Sequence, residues 1–302
     1  MIDIVIVNWN SGDYLKKCIG SIFTSVGIPL IKSVIIIDNN SKDYSLENIS
    51  VNNQIHIVLN SENFGFAKAC NQGFKMCTAE YVLLLNPDTM LHPDTLAQSV
   101  AFMSGHKEIN ILGAALLDDE GKLAPSCSRF PSPLRIFFDA SGLSKIAPKI
   151  FTPATIMTDW SHKESRIVDQ VMGAFMFMRK NIFEKNGYFD ERFFVYYEEV
   201  DFCKRLSLLG GKIFYFNEIK VVHSGEGTTK SVKAFRLFLS LRSRLLYAKK
   251  HFSFLGYTLV WGSTFIIEPV SRTIFLLFKG SFKEIKETLK GFKYLVKNIA
   301  SD

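Results

Sequence analysis

The chain has 302 residues, a formal net charge of +7 and a hydrophobic content of 47%, with 27 phenylalanines. This length can bury a substantial core, but it is short for two full domains, so we expect one large domain with an appendage. The positive charge is concentrated after about residue 230 among Phe, Leu and Ile, which favours attraction to anionic lipid over nucleic acid, with a solvated helical face as the alternative.

The five cysteines are scattered along the chain, without the close spacing of a zinc site or of a disulfide framework. We therefore expect reduced thiols in a cytoplasmic protein. The chain enters an apolar strand at Ile2 without a basic segment or a cleavage site, which agrees with that compartment.

The first half of the chain alternates strand and helix signals, which predicts an α/β fold with a mostly parallel sheet. In chain order the predicted elements are a strand at Ile2–Val7, a helix at Asp13–Val26, a strand at Ser33–Ile37 followed by a short helix, a strand at Ile55–Leu59, a helix at Phe66–Cys77, a strand at Tyr81–Leu85 and a helix from Pro93. The glycines lack the tight spacing of the dinucleotide fingerprint after the first strand, which disfavours a nicotinamide-binding Rossmann domain.

The second half is less regular. Residues 118–165 carry five prolines, and we expect a functional loop or lid with short helices. The later predicted elements are a strand-like run at Val168–Arg179, a helix after Glu198, short strands at Lys212–Phe216 and Lys220–Val222, and helix from Ser231 onward. This pattern predicts a domain at residues 1–230 and a helical region at residues 231–302.

Asn86-Pro87-Asp88 comes directly after the apolar strand Tyr81–Leu85. Open α/β sheets bind ligands at the carboxyl ends of their strands, so Asp88 is expected in a cleft. A carboxylate there can hold a hard divalent cation together with diphosphate oxygens. An ordinary turn after a strand is the alternative.

Five motifs follow one another in a fixed order: Val5–Asn10, Ile37–Asp43, Asn63–Gly73, Leu85–Asp88, and Gly187–Glu191 with Tyr197–Asp201. In content and order they resemble the motifs of family 2 glycosyltransferases with the GT-A fold. Within that family the chain is similar to bacterial rhamnosyltransferase-type enzymes. The resemblance covers roughly residues 2–250 and implies a nucleotide-sugar donor.

The resemblance implies a set of donor-binding residues. Asp38 can accept a hydrogen bond from a pyrimidine imide, or it can form an Asx-turn or a helix cap. Asp43 can touch the ribose or begin a helix, and Phe66 and Ala67 can contact the donor or only pack. The complete donor set is Asn8, Asp38, Asn40, Asp43, Gly65, Phe66, Ala67, Asn71, Asn86 and Asp88.

The resemblance also implies a Mg²⁺ or Mn²⁺ ion that bridges the diphosphate. Asn86 replaces the first acid of the Asp-X-Asp pattern, so the metal is assigned to Asp88. His223 matches a late family position near the metal and is the second candidate ligand, although a lone histidine after a strand is often structural.

An inverting transfer needs a base that takes the proton of the acceptor hydroxyl. The family usually offers Glu-Asp where this chain has Glu198-Glu199, and we assign the base to Glu199 with Glu198 as the alternative. Both acids could instead only cap the helix that follows. Gly173, Ala174 and Trp160 are the candidate acceptor residues.

The apolar stretch Phe254–Ile267 is too short to span a bilayer, since 14 residues of helix rise about 21 Å against a hydrocarbon core of roughly 30 Å. A longer span through Phe278 would place Glu268 and Arg272 in lipid. We therefore expect an interfacial or re-entrant helical region, with a helical subdomain or homodimer interface as the alternative.

Together these observations predict an inverting transferase at the inner face of the cell membrane, in bacterial surface polysaccharide synthesis. The expected donor is dTDP-L-rhamnose or a UDP-sugar, and the expected acceptor is a glycan or a polyprenyl-diphosphate-linked sugar. A nucleotidylyltransferase would need a basic, glycine-rich first loop, which Asn8–Ser11 does not supply. A noncatalytic sugar-nucleotide-binding subunit is the other alternative, and Glu198-Glu199 argues against it.

Overall fold

A computed structural model of the protein describes residues 1–26, 28–47, 49, 52–225 and 233–299. The chain divides into two compact units. A sheet unit contains Met1–Ser128, Ser161–Arg192 and Glu198–Thr228, and a helical unit contains Arg129–Trp160, Phe193–Tyr197 and Thr229–Asp302. The last segment of the helical unit thus begins close to the predicted boundary at residue 230. The unit also contains two earlier segments, which come from the predicted first domain.

The strands are β1 (Ile2–Asn8), β2 (Ile31–Asp38), β3 (Ile55–Leu59), β4 (Tyr81–Leu85), β5 (Thr89–Leu91), β6 (Ile109–Leu117), β7 (Cys127–Ser128), β8 (Arg166–Ile167), β9 (Gln170–Val171), β10 (Phe175–Arg179) and β11 (Lys212–His223). The α-helices are α1 (Asp13–Phe23), α2 (Phe66–Met76), α3 (Thr95–Gly105), α4 (Pro133–Ser141), α5 (Leu143–Ile146), α6 (Ile182–Asn186), α7 (Glu198–Leu208), α8 (Lys233–His251), α9 (Phe254–Gly262), α10 (Glu268–Phe278) and α11 (Phe282–Ile299).

The large sheet has the strand order β3-β2-β1-β4-β10-β6-β11-β5, and β8 pairs with β11. Strands β3, β2, β1 and β4 run parallel, as predicted. Strand β10 is antiparallel to both β4 and β6, while β6 and β11 are parallel. Every residue of β1 and β4 is buried, as expected for parallel strands covered on both faces.

The structure departs from the predicted elements at several points. Strands β5 and β6 were not predicted, and no helix follows β2 within the described residues 39–47. The predicted run Val168–Arg179 divides into β9 and β10. The two short strands predicted after Lys212 form one strand, β11, whose pairing with β6 shifts between Phe216 and Lys220.

The helical unit has its own apolar core, to which α4, α8, α9 and α11 contribute Ile136, Leu241, Leu245, Val260, Phe292 and Leu295. Short helices do form in the proline-rich segment, as expected, at α4 and α5. Within the described part of the chain, no helix combines the length and the apolar composition that a membrane crossing requires.

All five cysteines are buried and free, in agreement with the reduced thiols expected from their spacing. Burial raises the pKa of the Cys77 and Cys127 thiols to about 12. These thiols therefore remain protonated and chemically inert at neutral pH.

The contact between α2 and β1 gives a stability test. A Cβ atom on Gly73 would lie 2.4 Å from Cγ1 and 3.3 Å from Cβ of Val5, and a β-branched side chain in a strand cannot rotate away easily. We predict that Gly73→Ala lowers the free energy of unfolding by about 1–3 kcal/mol, measured by urea denaturation followed by circular dichroism.

Gly20→Ala is the matched control, because Gly20 is exposed in α1 and has no atom within 4 Å of its Cβ position. The same substitution there should stabilise the protein by about 0.5–1 kcal/mol. Equal effects at the two positions would contradict the close packing of α2 on β1.

Candidate active site

The candidate site lies where parallel strands end. Asn8 at the end of β1 is in register with Asp38 at the end of β2, and the Asn86–Asp88 turn follows β4. Strand β11 ends beside β5, where His223 pairs with Thr89. The topology therefore brings three of the predicted motifs and His223 to one edge of the sheet, the usual location of ligand sites in such folds.

Asn8 and Asp38 form the centre of a buried polar network. The Asn8 amide donates to Asp38 Oδ1 at 2.7 Å and to Ser45 Oγ at 2.9 Å, and its oxygen accepts from Ser11. Asp38 also accepts from the Ser41 backbone N–H at 3.0 Å and from the Ser41 hydroxyl at 2.6 Å. Asp38 thus holds its own turn through the backbone N–H three residues on, and Asn8 is fully buried.

Asp43 and Asn40 hold the same loop. The Asp43 carboxylate accepts from the Gly12 N–H at 2.7 Å and from the Ser45 hydroxyl at 2.6 Å. Although burial acts in the opposite direction, these hydrogen bonds lower the pKa of Asp43. Asn40 has a positive φ of 61° and donates to the Ser61 carbonyl at 3.0 Å, so it stabilises the loop between β2 and β3.

The start of α2 is the second part of the site. Gly65 has φ 85°, which glycine adopts readily, and its N–H donates to Asn63 Oδ1 at 2.9 Å. No side chain caps this helix start, so its first N–H groups can face an anionic ligand. Ala67 is fully buried and therefore packs, whereas Phe66 is only partly buried and lies near Gly173.

Sequence reasoning missed three amides that support this loop. Asn39 donates to the Gly65 carbonyl at 3.0 Å and accepts from Asn60 at 2.9 Å, while Asn60 and Gln72 exchange two hydrogen bonds. Two sequence signals could have revealed these amides. They are the polar residue Asn60 directly after β3 and the glutamine Gln72 inside the apolar helix α2.

Asn71 is buried, as expected for a helix residue with a special role, but its partners belong to the chain. Its side chain donates to the Phe189 carbonyl at 2.9 Å and to Glu191 at 3.0 Å, and it accepts from the Phe189 N–H at 3.0 Å. Asn71 therefore fixes the Gly187–Glu191 motif against α2.

Asp88 and His223, the two predicted metal ligands, lie together. His223 Nε2 is 3.3 Å from Asp88 Oδ1, and both side chains are largely buried. The Ser224 N–H donates to the Asp88 carbonyl at 3.1 Å, which ties the end of β11 to the Asp88 turn. One carboxylate and one imidazole suit Mn²⁺ in particular, because a nitrogen ligand is uncommon for Mg²⁺.

Across the described residues, no cluster of three or more His, Cys, Asp or Glu side chains could hold a metal ion. A cation at Asp88 and His223 would therefore take most of its ligands from diphosphate oxygens and water, as is common at nucleotide sites. In sequence, Asn86 stands where the Asp-X-Asp pattern has its first acid.

Glu198 and Glu199 begin α7 as a pair of carboxyl groups joined by a hydrogen bond. Burial and the Glu199 charge raise the pKa of Glu198 well above its usual range. Burial also raises the pKa of Glu199, although hydrogen bonds from Glu198 and the Gly173 N–H oppose this effect. Two touching buried carboxyl groups do not both ionise readily, so the pair holds one proton between them.

Oε2 of Glu199 and Oε2 of Glu198 are both buried, and neither has a hydrogen-bond donor beyond the acid pair among the described residues. A buried carboxylate oxygen without a donor is costly, and a ligand hydroxyl would satisfy it. Oε1 of Glu199 lies 3.8 Å from the Cβ position of Gly173. The acid pair can therefore accept a hydrogen bond from a bound hydroxyl.

Of the predicted acceptor residues, Gly173 contacts the acid pair, while Ala174 is fully buried. The Ala174 carbonyl accepts from the Asn86 N–H at 3.1 Å and from the Thr89 hydroxyl at 3.4 Å, so Ala174 supports the Asp88 turn. Trp160 belongs to the helical unit.

Comparison with known proteins agrees with this architecture. The chain is 26% identical over 259 residues to "Rhamnosyltransferase WbbL" of Escherichia coli, covering 83% of this chain and 94% of that protein. It is 23% identical over 264 residues to the "N-acetylglucosaminyl-diphospho-decaprenol L-rhamnosyltransferase" of Mycobacterium tuberculosis, covering 83% of this chain and 85% of that protein.

A solved structure shows the same fold. The mannosyltransferase PcManGT from Pyrobaculum calidifontis, in complex with GDP-Man and Mn²⁺, aligns with a TM-score of 0.57 at 11% identity, over 99% of this chain and 86% of that one. The family model described as "Glycosyl transferase family 2" matches residues 3–187, which is more than half of the chain. The chain therefore has the GT-A fold and belongs to glycosyltransferase family 2.

Proposed function

We propose that this glycosyltransferase is an inverting enzyme in which Glu199 is the general base. The observation that carries this proposal is the buried acid pair at the start of α7, where Oε2 of each glutamate lacks a donor beyond the pair among the described residues. The Gly173 N–H favours the charge on Glu199, so the proposal takes Glu198 as the protonated partner. The pair belongs to the same unit as Asp88 and His223. This arrangement supplies a proton acceptor together with a place for a diphosphate.

The transfer would follow a single displacement. The acceptor hydroxyl donates to Glu199 and its oxygen attacks the anomeric carbon, while the bond from that carbon to the diphosphate oxygen breaks. The hydroxyl proton passes to Glu199, and the electron pair of the broken bond leaves with the nucleoside diphosphate. A divalent cation held by Asp88 and His223 would stabilise the charge that grows on the diphosphate.

The donor is proposed to be dTDP-L-rhamnose or a UDP-sugar. The names of the E. coli and M. tuberculosis relatives support rhamnose. Asp38 would accept from the imide N–H that uracil and thymine share, using a lone pair that the bonds from Asn8 and Ser41 leave over. The hydrogen bonds from Asn8 and Ser41 would then fix the orientation of the Asp38 carboxylate without preventing it from binding the pyrimidine.

The acceptor is proposed to be a glycan or a sugar linked to a polyprenyl diphosphate, in the synthesis of a bacterial surface polysaccharide. The M. tuberculosis relative supports this, because its name includes a sugar joined to decaprenol through a diphosphate. Gly173 would lie beneath the acceptor, since it contacts Glu199 and Phe66.

The metal site can be tested by titration calorimetry. Asp88→Ala removes the only carboxylate assigned to the cation, so Mn²⁺ should no longer strengthen binding of the nucleoside diphosphate, a loss of about tenfold or more in affinity. His223→Ala should reduce the effect of Mn²⁺ less. The exposed Asp94, at the start of α3, provides the control Asp94→Ala.

Metal dependence that survives in Asp88→Ala would remove this residue from the site. Binding of UDP and dTDP in the absence of metal serves as the folding control for both variants. If the wild-type protein binds nucleotides tightly but turns over no donor in a screen of nucleotide sugars, the chain would instead be a binding subunit.

The base can be tested by two amide substitutions. Glu199→Gln removes proton acceptance while keeping shape, so transfer should fall by about 10²-fold or more while donor affinity persists. Glu198→Gln should cost much less, because an amide N–H can replace the proton that Glu198 donates. Larger loss in Glu198→Gln than in Glu199→Gln would assign the base to Glu198.

The pH profile gives an independent test. Transfer requires ionised Glu199, whose pKa is raised. The value of kcat/KM should therefore rise with pH on the acidic limb of the profile, and the midpoint of this limb should lie above the ordinary glutamate pKa of about 4.3. Because Glu198 is already neutral, Glu198→Gln should leave this limb nearly unchanged. A limb that moves to lower pH in Glu198→Gln would show that Glu198 carries charge in the wild-type enzyme.

A further inference from the structure

The outward side of the helical run from α9 to α10 is apolar. Residues Ser263–Ile267 form a π-helical turn that joins the two helices into one continuous run from Phe254 to Phe278. Its exposed members are Phe254, Leu255, Thr258, Leu259, Trp261, Ile266, Val270, Ile274, Phe275, Leu277 and Phe278. One of these is a threonine and the others are apolar, and the side chain of Arg272 is also 42% exposed.

The carboxylate of the run is buried, whereas Arg272 is partly exposed. Glu268 is 3% exposed, and it accepts from Arg272 Nε at 2.7 Å and from Arg244 of α8. Burying a carboxylate is costly, even when it is paired. A helix on a water-facing surface turns its charges outward and its apolar stripe inward, so this run has the reverse orientation.

The inward side is already packed. Val260, Ser263 and Thr264 are buried, and Ser271 donates to the Ala140 carbonyl of α4. At Gly256, a Cβ atom would lie 2.9 Å from Pro133 of α4. The outward side chains are therefore a second apolar surface, in addition to the core of the helical unit.

Lysines surround this surface. Lys145 Nζ lies 4.9 Å and Lys279 Nζ 4.6 Å from the centre of the Phe275 ring, which places α5 beside α10. Lys283 and Lys286 are exposed at the start of α11. On α5 and just beyond it, Ile146 and Ile150 are 81% and 74% exposed, with the exposed Lys149 between them.

We propose that this surface, called here the docking face, binds in the plane of an anionic lipid bilayer. It is defined by the exposed apolar residues of Phe254–Phe278 together with the five lysines Lys145, Lys149, Lys279, Lys283 and Lys286. Apolar side chains would enter the boundary between headgroups and acyl chains, while Trp261 and the lysines would lie at headgroup level. The lysines complement anionic headgroups.

The charges favour a bilayer over a second copy of the chain. A two-fold symmetric dimer through the docking face would bring the same basic residues of both copies to one interface, and like charges there oppose association. The docking face lies wholly in the helical unit, so the proposal is independent of the transfer chemistry. It would hold the enzyme at the inner leaflet of the cell membrane, where a lipid-linked acceptor is anchored.

Vesicle flotation of the full chain tests this proposal without donor or acceptor. We expect the wild-type protein to float with vesicles of phosphatidylglycerol and phosphatidylethanolamine, and to float less with phosphatidylcholine vesicles or at high salt. The triple variant Leu255→Ser, Ile266→Ser and Phe278→Ser should bind about tenfold or more weakly. The matched control is Val26→Ser, Leu208→Ser and Leu209→Ser, which alters equally exposed apolar residues of the sheet unit.

A second variant separates charge from apolar contact. Lys279→Glu with Lys283→Glu should weaken binding to anionic vesicles and reduce its dependence on salt. Circular dichroism melts of all variants should match the wild type, because each altered side chain is exposed.

Wild-type protein that does not float, or an equal loss in the docking-face and control variants, would overturn the proposal. Sedimentation velocity tests the remaining alternative, in which the docking face binds a second copy of the chain. If the docking-face variant dissociates a dimer while its vesicle binding equals that of the wild type, the face binds a second copy and the lipid proposal is wrong.

Discussion

The carboxyl groups of Glu198 and Glu199 touch in a buried place, so the two groups hold one proton between them. The rest of the site is arranged around this acid pair. The Gly173 N–H supports the Glu199 carboxylate. The next residue, Ala174, accepts from the Asn86 N–H and the Thr89 hydroxyl, which are the two ends of the Asp88 turn. A two-residue segment therefore links the acid pair to the candidate metal site, and antiparallel β10 continues it beside β4.

Patterns of residues predicted the parallel half of the fold, because buried strands that end in polar residues are visible in sequence. Strand β6 was missed because the residues at its centre are small. A Cβ atom on Gly113 would lie 2.4 Å from Val171, so a larger residue does not fit there. That close approach depends on a neighbour far away in sequence. For the same reason, the sequence showed the order of Glu198 and Glu199 but could not show which one carries the proton.

The side chains of Asn71 and Asp38 show the limit of motif reasoning in more detail. Both were expected to bind the donor, and both are buried with protein partners. Asn71 uses its amide on Phe189 and Glu191, so its effect on the donor would be indirect, through the position of the motif before α7. Asp38 is held by Asn8 and Ser41, which fixes the carboxylate in advance of any base it would recognise.

The backbone just before the acid pair is strained. Tyr196 and Tyr197 have φ values of 68° and 71°, in a region that bulky residues avoid at a cost of about 1–3 kcal/mol each. Within the helical unit, Tyr197 packs against Tyr247 with ring centres 5.4 Å apart, and the Val195 carbonyl accepts from Ser243 at 2.8 Å. These contacts hold the strained pair in place. Because strain of this kind persists only where the surrounding structure fixes it, the two tyrosines mark a backbone conformation that the packing of the helical unit determines.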